Sequence, residues 1–287
     1  MNLESFKTVG VRTEISPLQY RTLQKFLNFT CGIVLKDNKQ YLVNNRLAAL
    51  AETKGFYSID ALVNVLGNNK ANSKLVADVI DCMTTNETFW FRDTVHFDEL
   101  KTGVMTELSK RTPASPRIWS AACSSGQEPY SISIAVDEYY SNQRSNGFHN
   151  VQIIGTDISD SILTQARSGI YSDLAISRGI NNSHRARYFE PYGGDWKLKP
   201  NITSKVKFQQ FNLLKPFRAL GQFDVIFCRN VLIYFSDEVK LDILERMTHV
   251  LKSGGYLFLS STEAMPLGFD LFELVPDTKV RYYRLRN

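Results

Sequence analysis

The sequence predicts an α/β protein in which a mainly parallel, doubly wound sheet follows a small all-helical N-terminal domain. Apolar residues recur at helical spacing up to about residue 85, and after residue 110 short apolar strands alternate with helical segments. A stretch from about Gly169 to Ser204 obeys neither pattern. The 287 residues give room for one large domain or two unequal ones. With 43% hydrophobic and 22% charged residues the composition is that of an ordinary globular protein, which argues against a disordered or fibrous chain.

The first helix is signalled by Ser16-Pro17-Leu18-Gln19, with Ser16 as N-cap, Pro17 in the first turn and Gln19 completing a capping box. Leu23, Phe26 and Leu27 form its apolar face. A second helix is expected from Tyr41 to Lys54, with Leu47 and Leu50 inward and Gly55 as its stop. A third follows Ser58 and stops at Gly67, and a fourth covers Leu75 to Met83. Strands are expected at Arg117–Ala121, Val151–Thr156, Val206–Phe211, Phe223–Cys228 and Tyr256–Ser260. Strands separated by helices imply right-handed crossovers and parallel pairing. A helix from Asp237 to Lys252 is capped by Ser236 and closed by Gly254-Gly255, and Leu271 to Leu285 reads as a hairpin adding an antiparallel edge.

The irregular segment carries Tyr171, Tyr188, Phe189, Tyr192 and Trp196 around Gly193-Gly194-Asp195. A short helix and a small β excursion at about 186–210 are expected there, either as recognition surface or as aromatics packing an awkward loop.

The opening residues MNLESFKTVGVR contain no apolar stretch resembling a signal peptide, and no run approaches the ~18 residues that span a bilayer, so a cytoplasmic location is expected. Cys31, Cys82, Cys123 and Cys228 are too scattered for a zinc site and read as reduced packing residues. Lys and Arg exceed Asp and Glu by 34 to 29, a weak preference for acidic partners that does not call for nucleic acid.

In doubly wound folds ligands sit beyond the carboxyl ends of the strands. The first strand runs into Ala122-Cys123-Ser124-Ser125-Gly126-Gln127-Glu128, whose small residues permit close approach to backbone and whose single glycine argues against a dinucleotide cradle. The second strand ends in Asp157, placed to accept from both hydroxyls of a ribose, with helix capping as the alternative role. The fourth delivers Arg229, Asn230 and Tyr234 to the same edge.

MTTNETFWFR (83–92), WSAACSSGQEPYSI (119–132), GTDI (155–158), FNLL (211–214) and FDVIFCRNVLIYF (223–235), in this order, resemble the CheR family. The resemblance implies a Rossmann-like methyltransferase domain over 86–287, dependent on S-adenosylmethionine and forming methyl esters on chemoreceptor glutamates. It also implies a receptor-docking helical domain with linker over 1–85. Positions matching the family's cofactor site are Asn86, Thr88, Arg92, Glu128, Asp157, Asn212, Leu213, Arg229 and Asn230, and those near the transferred methyl are Arg92 and Tyr234. Ser125-Gly126-Gln127 departs mildly from the family's Thr-Gly-Glu. In the helical domain ten basic residues stand against seven acidic ones, which suits an acidic receptor bundle. In the family the β excursion can also bind a receptor's C-terminal tether peptide. The rivals are a methyltransferase of small molecules or RNA, and a non-catalytic S-adenosylmethionine sensor. Arg92, Tyr234 and the helical domain favour the receptor enzyme over both.

Overall fold

The structure is a computed structural model and describes residues 13–68, 70–111, 115–142 and 151–286. The chain divides into two compact units, one ending at Thr85 and one beginning at Asn86. Among the described residues no helix is long and apolar enough to cross a membrane.

The first unit contains α1 (Pro17–Cys31), α2 (Gln40–Thr53), α3 (Ile59–Gly67) and α4 (Ser73–Met83). Ser16 caps α1 by accepting the Gln19 N–H at 3.4 Å, and Gly32 ends it at φ +77°. The expected reciprocal half of the capping box is not made. The Ser16 N–H donates instead to Asp60 Oδ1 at 2.9 Å, and Gln19 Oε1 is buried without a partner among the described residues. A carboxylate is a stronger acceptor than an amide oxygen, and this one ties the start of α1 to the first turn of α3. The same two helices touch at Gly67, where an added Cβ would stand 2.6 Å from Thr22 Cγ2. Val43, Leu47 and Ala51 form the buried face of α2, while Leu50 is only half-buried. Arg46 Nη1 donates to the carbonyls of Met83 and Thr84 at 2.8 and 3.0 Å, a cation at the negative end of α4.

The second unit begins with α5 (Val95–Glu99), which passes through a π turn at Leu100–Val104 into α6 (Met105–Arg111). Then come β1 (Arg117–Ala121), α7 (Gln127–Asn142), β2 (Gln152–Asp157) and α8 (Asp160–Ser168). The irregular segment holds β3 (Ile170–Tyr171), α9 (Asp173–Ser177), α10 (Asn182–Tyr188), β4 (Phe189–Tyr192), β5 (Asp195–Leu198) and α11 (Pro200–Thr203). The chain closes with β6 (Val206–Gln210), β7 (Phe223–Cys228), α12 (Asp237–Thr248), β8 (Leu251–Phe258), β9 (Phe272–Leu274) and β10 (Tyr282–Leu285).

The main sheet has the order β6-β2-β1-β7-β8-β10-β9. Its first five strands are parallel, and β10 is antiparallel to both β8 and β9, the expected edge hairpin. Strand β7 is buried throughout and serves both faces: Val225 and Phe227 enter one apolar cluster, Ile226 and Cys228 the other. Because β1 lies between β2 and β7, successive crossovers leave it in opposite directions. The loops beyond β1, β2 and β7 therefore open a crevice at one edge.

Two expectations are corrected here. Helix α12 ends at Thr248, and Leu251 already pairs with Phe223. The register then jumps to Val225 opposite Tyr256, with Gly254 at φ +65°. Gly254-Gly255 thus forms a bulge inside a long strand rather than a helix stop, since a left-handed residue is what a bulge of this kind needs.

The β excursion lies earlier than 186–210. Its antiparallel sheet, β3-β5-β4, uses residues 170–198, while Val206–Gln210 pairs with β2 in the main sheet. Gly193 and Gly194, at φ +56° and +91°, make the two-residue hairpin between β4 and β5. Tyr171, Tyr188 and Phe189 are buried, so for them the packing reading holds. Trp90 meets Tyr171 and Phe189 edge-on at 4.8 and 5.2 Å, and its backbone N–H donates to the Arg178 carbonyl at 3.1 Å. The excursion is thereby fastened to the segment that leads into Arg92.

Candidate active site

The loop after β1 places Ala122, Ser124 and Gly126 at φ +56°, +50° and +91°. The first two carry a Cβ, so each costs about 1–3 kcal/mol and persists only where neighbours enforce it. They do. The Cys123 N–H donates to the Thr156 carbonyl at 2.8 Å and the Ser124 N–H to Asp157 Oδ2 at 2.8 Å. The Ser124 hydroxyl donates to the Asn86 carbonyl at 2.9 Å, which fixes the start of the TTNETFWFR stretch against the loop. Gly126 serves packing, because an added Cβ would stand 2.9 Å from Ala166 Cβ and 3.1 Å from the Tyr171 hydroxyl. The small residues at this turn therefore face protein at Gly126, not a ligand.

Asp157 is buried, with Oδ1 accepting the Ser159 N–H at 3.1 Å while Oδ2 holds Ser124. Ser159 is the cap of α8, accepting from the Ile162 N–H at 3.2 Å. Asp157 thus joins the loops beyond β1 and β2 through its two carboxylate oxygens.

The centre of the site is an ion-pair array around Arg229, whose side chain is 1% exposed. Its Nη1 donates to Glu128 Oε2 at 3.0 Å, and its Nη2 donates to Asp93 Oδ2 at 2.7 Å and to the Arg92 carbonyl at 2.6 Å. Glu128 Oε1 accepts from the Ser120 hydroxyl at 2.7 Å. The Arg92 turn needs this support, for Phe91 and Asp93 on either side of it stand at φ +49° and +55°. The Phe91 N–H is held separately by Ser131 Oγ at 3.0 Å. Arg229, expected as a lining residue, presents no side-chain surface and braces the others. Arg92 is partly exposed, its guanidinium 5.3 Å from the Phe89 ring centre and donating to the Glu87 carbonyl at 3.4 Å.

Thr88 is partly exposed in the same segment. Asn212 Oδ1 accepts the Leu214 N–H at 2.9 Å, which shapes the turn after β6, and Leu213 is buried in the apolar cluster under that turn. Asn230 sits at φ +57° directly after β7, and Tyr234 follows in a single 3-10 turn, Leu232–Tyr234. Tyr234 is partly exposed, and among the described residues its hydroxyl makes no hydrogen bond.

Three neighbours of the site escaped the sequence reading. Asp93 holds Arg229 and directly follows a recognised motif. Glu263 accepts the Asn230 N–H at 2.8 Å, and its signal was a carboxylate just past a parallel strand, the logic that found Asp157. His96 is buried with Nδ1 at 3.1 Å from the Asp93 carbonyl. Burial, and then the Arg229 charge, push its pKa down to about 4, so it is neutral at pH 7.

Comparison with known proteins gives a consistent picture. Residues 86–281 match the CheR methyltransferase SAM-binding domain, and residues 18–84 match the CheR methyltransferase all-alpha domain. The chain is 48% identical over 250 residues to the chemotaxis protein methyltransferase Cher2 of Pseudomonas putida, covering 86% of this chain and 90% of that protein. It is 47% identical over 269 residues to chemotaxis protein methyltransferase 1 of Pseudomonas aeruginosa, covering 93% and 97%. It is 42% identical over 276 residues to the chemotaxis protein methyltransferase of Vibrio parahaemolyticus, covering 95% and 98%.

Proposed function

Because the chain belongs to the CheR methyltransferase family, and so transfers methyl groups from S-adenosylmethionine in chemotaxis, we propose that its acceptor is a glutamate side-chain carboxylate on the cytoplasmic helical bundle of a chemoreceptor. The observation that carries this reading is the Arg229 array. It holds one arginine turn, at Arg92, against Glu128 in the first turn of α7, so a carboxylate-binding cation and a cofactor-binding carboxylate share one support.

The residues present fit the cofactor. Glu128 and Asp157 offer carboxylates, and Asn212 and Asn230 offer amides, beyond four neighbouring strands, which suits a cation bearing ribose hydroxyls. Asn86, Thr88 and the backbone at Leu213 and Arg229 complete the set on this reading. When bound, S-adenosylmethionine supplies an electrophilic sulfonium methyl.

The chain's own residues then have a modest chemical task. A glutamate with pKa about 4.3 is ionised at neutral pH and attacks without first losing a proton. Alignment of the reacting groups supplies up to roughly 7–11 kcal/mol. Arg92 orients the carboxylate with the N–H groups that Glu87 does not use. Tyr234 positions the reacting groups through its hydroxyl. Arg229 keeps Arg92 in place.

The first unit is assigned to receptor docking. Leu18, Arg21, Lys25 and Phe29 share one exposed face of α1, an apolar and cationic stripe suited to an acidic helical bundle. A receptor in the inner membrane with a cytoplasmic bundle places the enzyme in the cytoplasm. A receptor C-terminal tether would pair with the outer edge of β4. The Lys199 N–H bonds the Tyr188 carbonyl at 2.9 Å, so residues 188, 190 and 192 face β5 and Pro191 faces outward. Proline offers no N–H, which leaves this edge a poor template for strand addition.

Transfer of label from S-adenosylmethionine to receptor-containing membranes tests the proposal. Base-labile label on receptor glutamates, lost in Arg92→Ala, is expected. Label confined to RNA or small molecules would overturn it.

A further inference from the structure

The loop after β8 carries a buried carboxylate that the mechanism above does not use. Glu263 is 8% exposed. Its Oε2 accepts two backbone N–H groups, from Asn230 at 2.8 Å and from Ser260 at 3.1 Å. Its Oε1 is buried and, among the described residues, has no hydrogen-bond partner. The Glu263 N–H in turn donates to the Ser260 carbonyl at 3.1 Å, which closes the turn and fixes where the side chain begins. One carboxylate oxygen thus links the C-terminal ends of the adjacent strands β7 and β8.

Burying a carboxylate with one oxygen unfilled is unfavourable, and an apolar residue would pack the same space without that cost. The acceptor it supplies falls on Asn230, one of the few non-glycine residues held in the left-handed region, at φ +57°. A left-handed residue directly after a buried strand turns its side chain away from the direction that extended backbone would give it. Without an acceptor for its N–H, Asn230 would relax to negative φ and its amide would swing with the peptide plane.

We infer that Glu263 is a positioning residue for methyl transfer, holding Asn230 left-handed through its peptide N–H so that the Asn230 amide faces the cofactor. The inference rests on the reading of Asn230 as a cofactor contact. Glu263 itself touches no substrate, since its free oxygen is sealed within the protein.

A double-mutant cycle on S-adenosylhomocysteine binding to the full chain tests it. Asn230→Ala and Glu263→Ala are each expected to weaken binding on the order of tenfold, the loss of one good hydrogen bond. The double variant is expected to bind no more weakly than either single one, because both remove the same contact. Glu263→Gln, whose amide oxygen replaces Oε2, is expected to restore binding to within about threefold of the parent protein. If Glu263→Ala does not fold, Glu263→Asp takes its place, its carboxylate withdrawn by about 1.5 Å, one carbon–carbon bond. Additive losses in the cycle, or parental affinity in a folded Glu263→Ala, would overturn the inference while leaving the site reading intact. Parental affinity in Asn230→Ala would remove the site reading and the inference with it.

Discussion

Arg229 Nη2 donates to the carbonyl oxygen of Arg92 at 2.6 Å, while Nη1 of the same guanidinium meets Glu128 at 3.0 Å. Arginine's planar fork can do both at once, and a lysine ammonium cannot match that geometry. Two residues far apart in sequence, one expected to orient substrate and one to hold cofactor, are thereby braced by a third whose side chain is buried. Among the described residues Arg229 Nε has no partner, so the guanidinium is placed for these acceptors rather than for maximal hydrogen bonding.

Arg229→Lys is expected to fold and to lose methyl-transfer rate more than cofactor affinity, because the Arg92 turn loses its carbonyl anchor. Arg229→Met leaves Glu128 and Asp93 facing a buried apolar group and is expected to cost about 3–5 kcal/mol of stability. Urea unfolding and single-turnover transfer separate the two effects. A lysine variant with parental turnover would show that the brace is dispensable.

Asp157→Ala is expected to weaken S-adenosylhomocysteine binding through lost ribose acceptors and also to loosen the loop after β1, since Ser124 and Ser159 lose their carboxylate. Each charge-assisted bond is worth about 1.5–3 kcal/mol. Asp157→Asn keeps one acceptor oxygen and should retain more stability than the alanine variant. Calorimetry showing unchanged affinity in a folded Asp157→Ala would remove this residue from the cofactor site.

The sheet was legible because its strands are apolar runs between helical segments, and β1 and β7 begin and end where the pattern places them. Helix α12 was drawn too long because Leu251 continues its apolar spacing, and only pairing with Phe223 reveals a strand there. Asp157 was legible from its place after a strand, but its bond to Ser124 joins residues 33 apart and leaves no local trace. The burial of the Arg229 side chain was not legible, because sequence places a residue at a strand end without saying which way its side chain faces. Glu263 lies outside the stretches that carried the resemblance, and its partner, a backbone N–H at Asn230, has no residue-type signature.

Gly179 stands at φ +111°, and an added Cβ would lie 2.1 Å from the Trp90 carbonyl oxygen. Gly179→Ala is therefore expected to destabilise the second unit by about 2–6 kcal/mol, combining backbone strain with overpacking. Thermal unfolding measures this. Because the displaced segment leads into Arg92, catalytic loss below the new midpoint should accompany it. An unchanged midpoint would mean that the excursion is not fastened at this point.

His96 gives a pH dependence of stability. Its pKa falls from 6.5 to about 4 on folding, so between those values the unfolded chain binds a proton that the folded chain refuses. Stability is then fully present above pH 6.5 and lost as pH falls toward 4, by roughly 3 kcal/mol. Chemical denaturation at steps across this window should show the slope, and His96→Asn, which keeps a donor toward the Asp93 carbonyl, should flatten it. Equal slopes in the two proteins would assign the loss to other groups.

The methyl-transfer step should be nearly flat from about pH 6.5 to 8.5, with receptor and S-adenosylmethionine saturating, because a glutamate nucleophile has titrated far below that range. A general-base mechanism requires a group changing charge inside the window and close to the site. The histidine packed beside the Arg229 array, His96, is held to about 4 and stays neutral throughout. His184 Nε2 is engaged by Glu138 at 2.8 Å, His249 is exposed on the segment after α12, and His149 lies outside the described residues. Tyr234→Phe should then lower the rate through lost positioning without adding a pH dependence. Single-turnover measurement is needed, since product release and receptor docking titrate independently of the chemical step. A tenfold rise per pH unit across the window, with docking constant, would mean that a proton must leave the nucleophile first, and the acceptor would then be something other than a carboxylate.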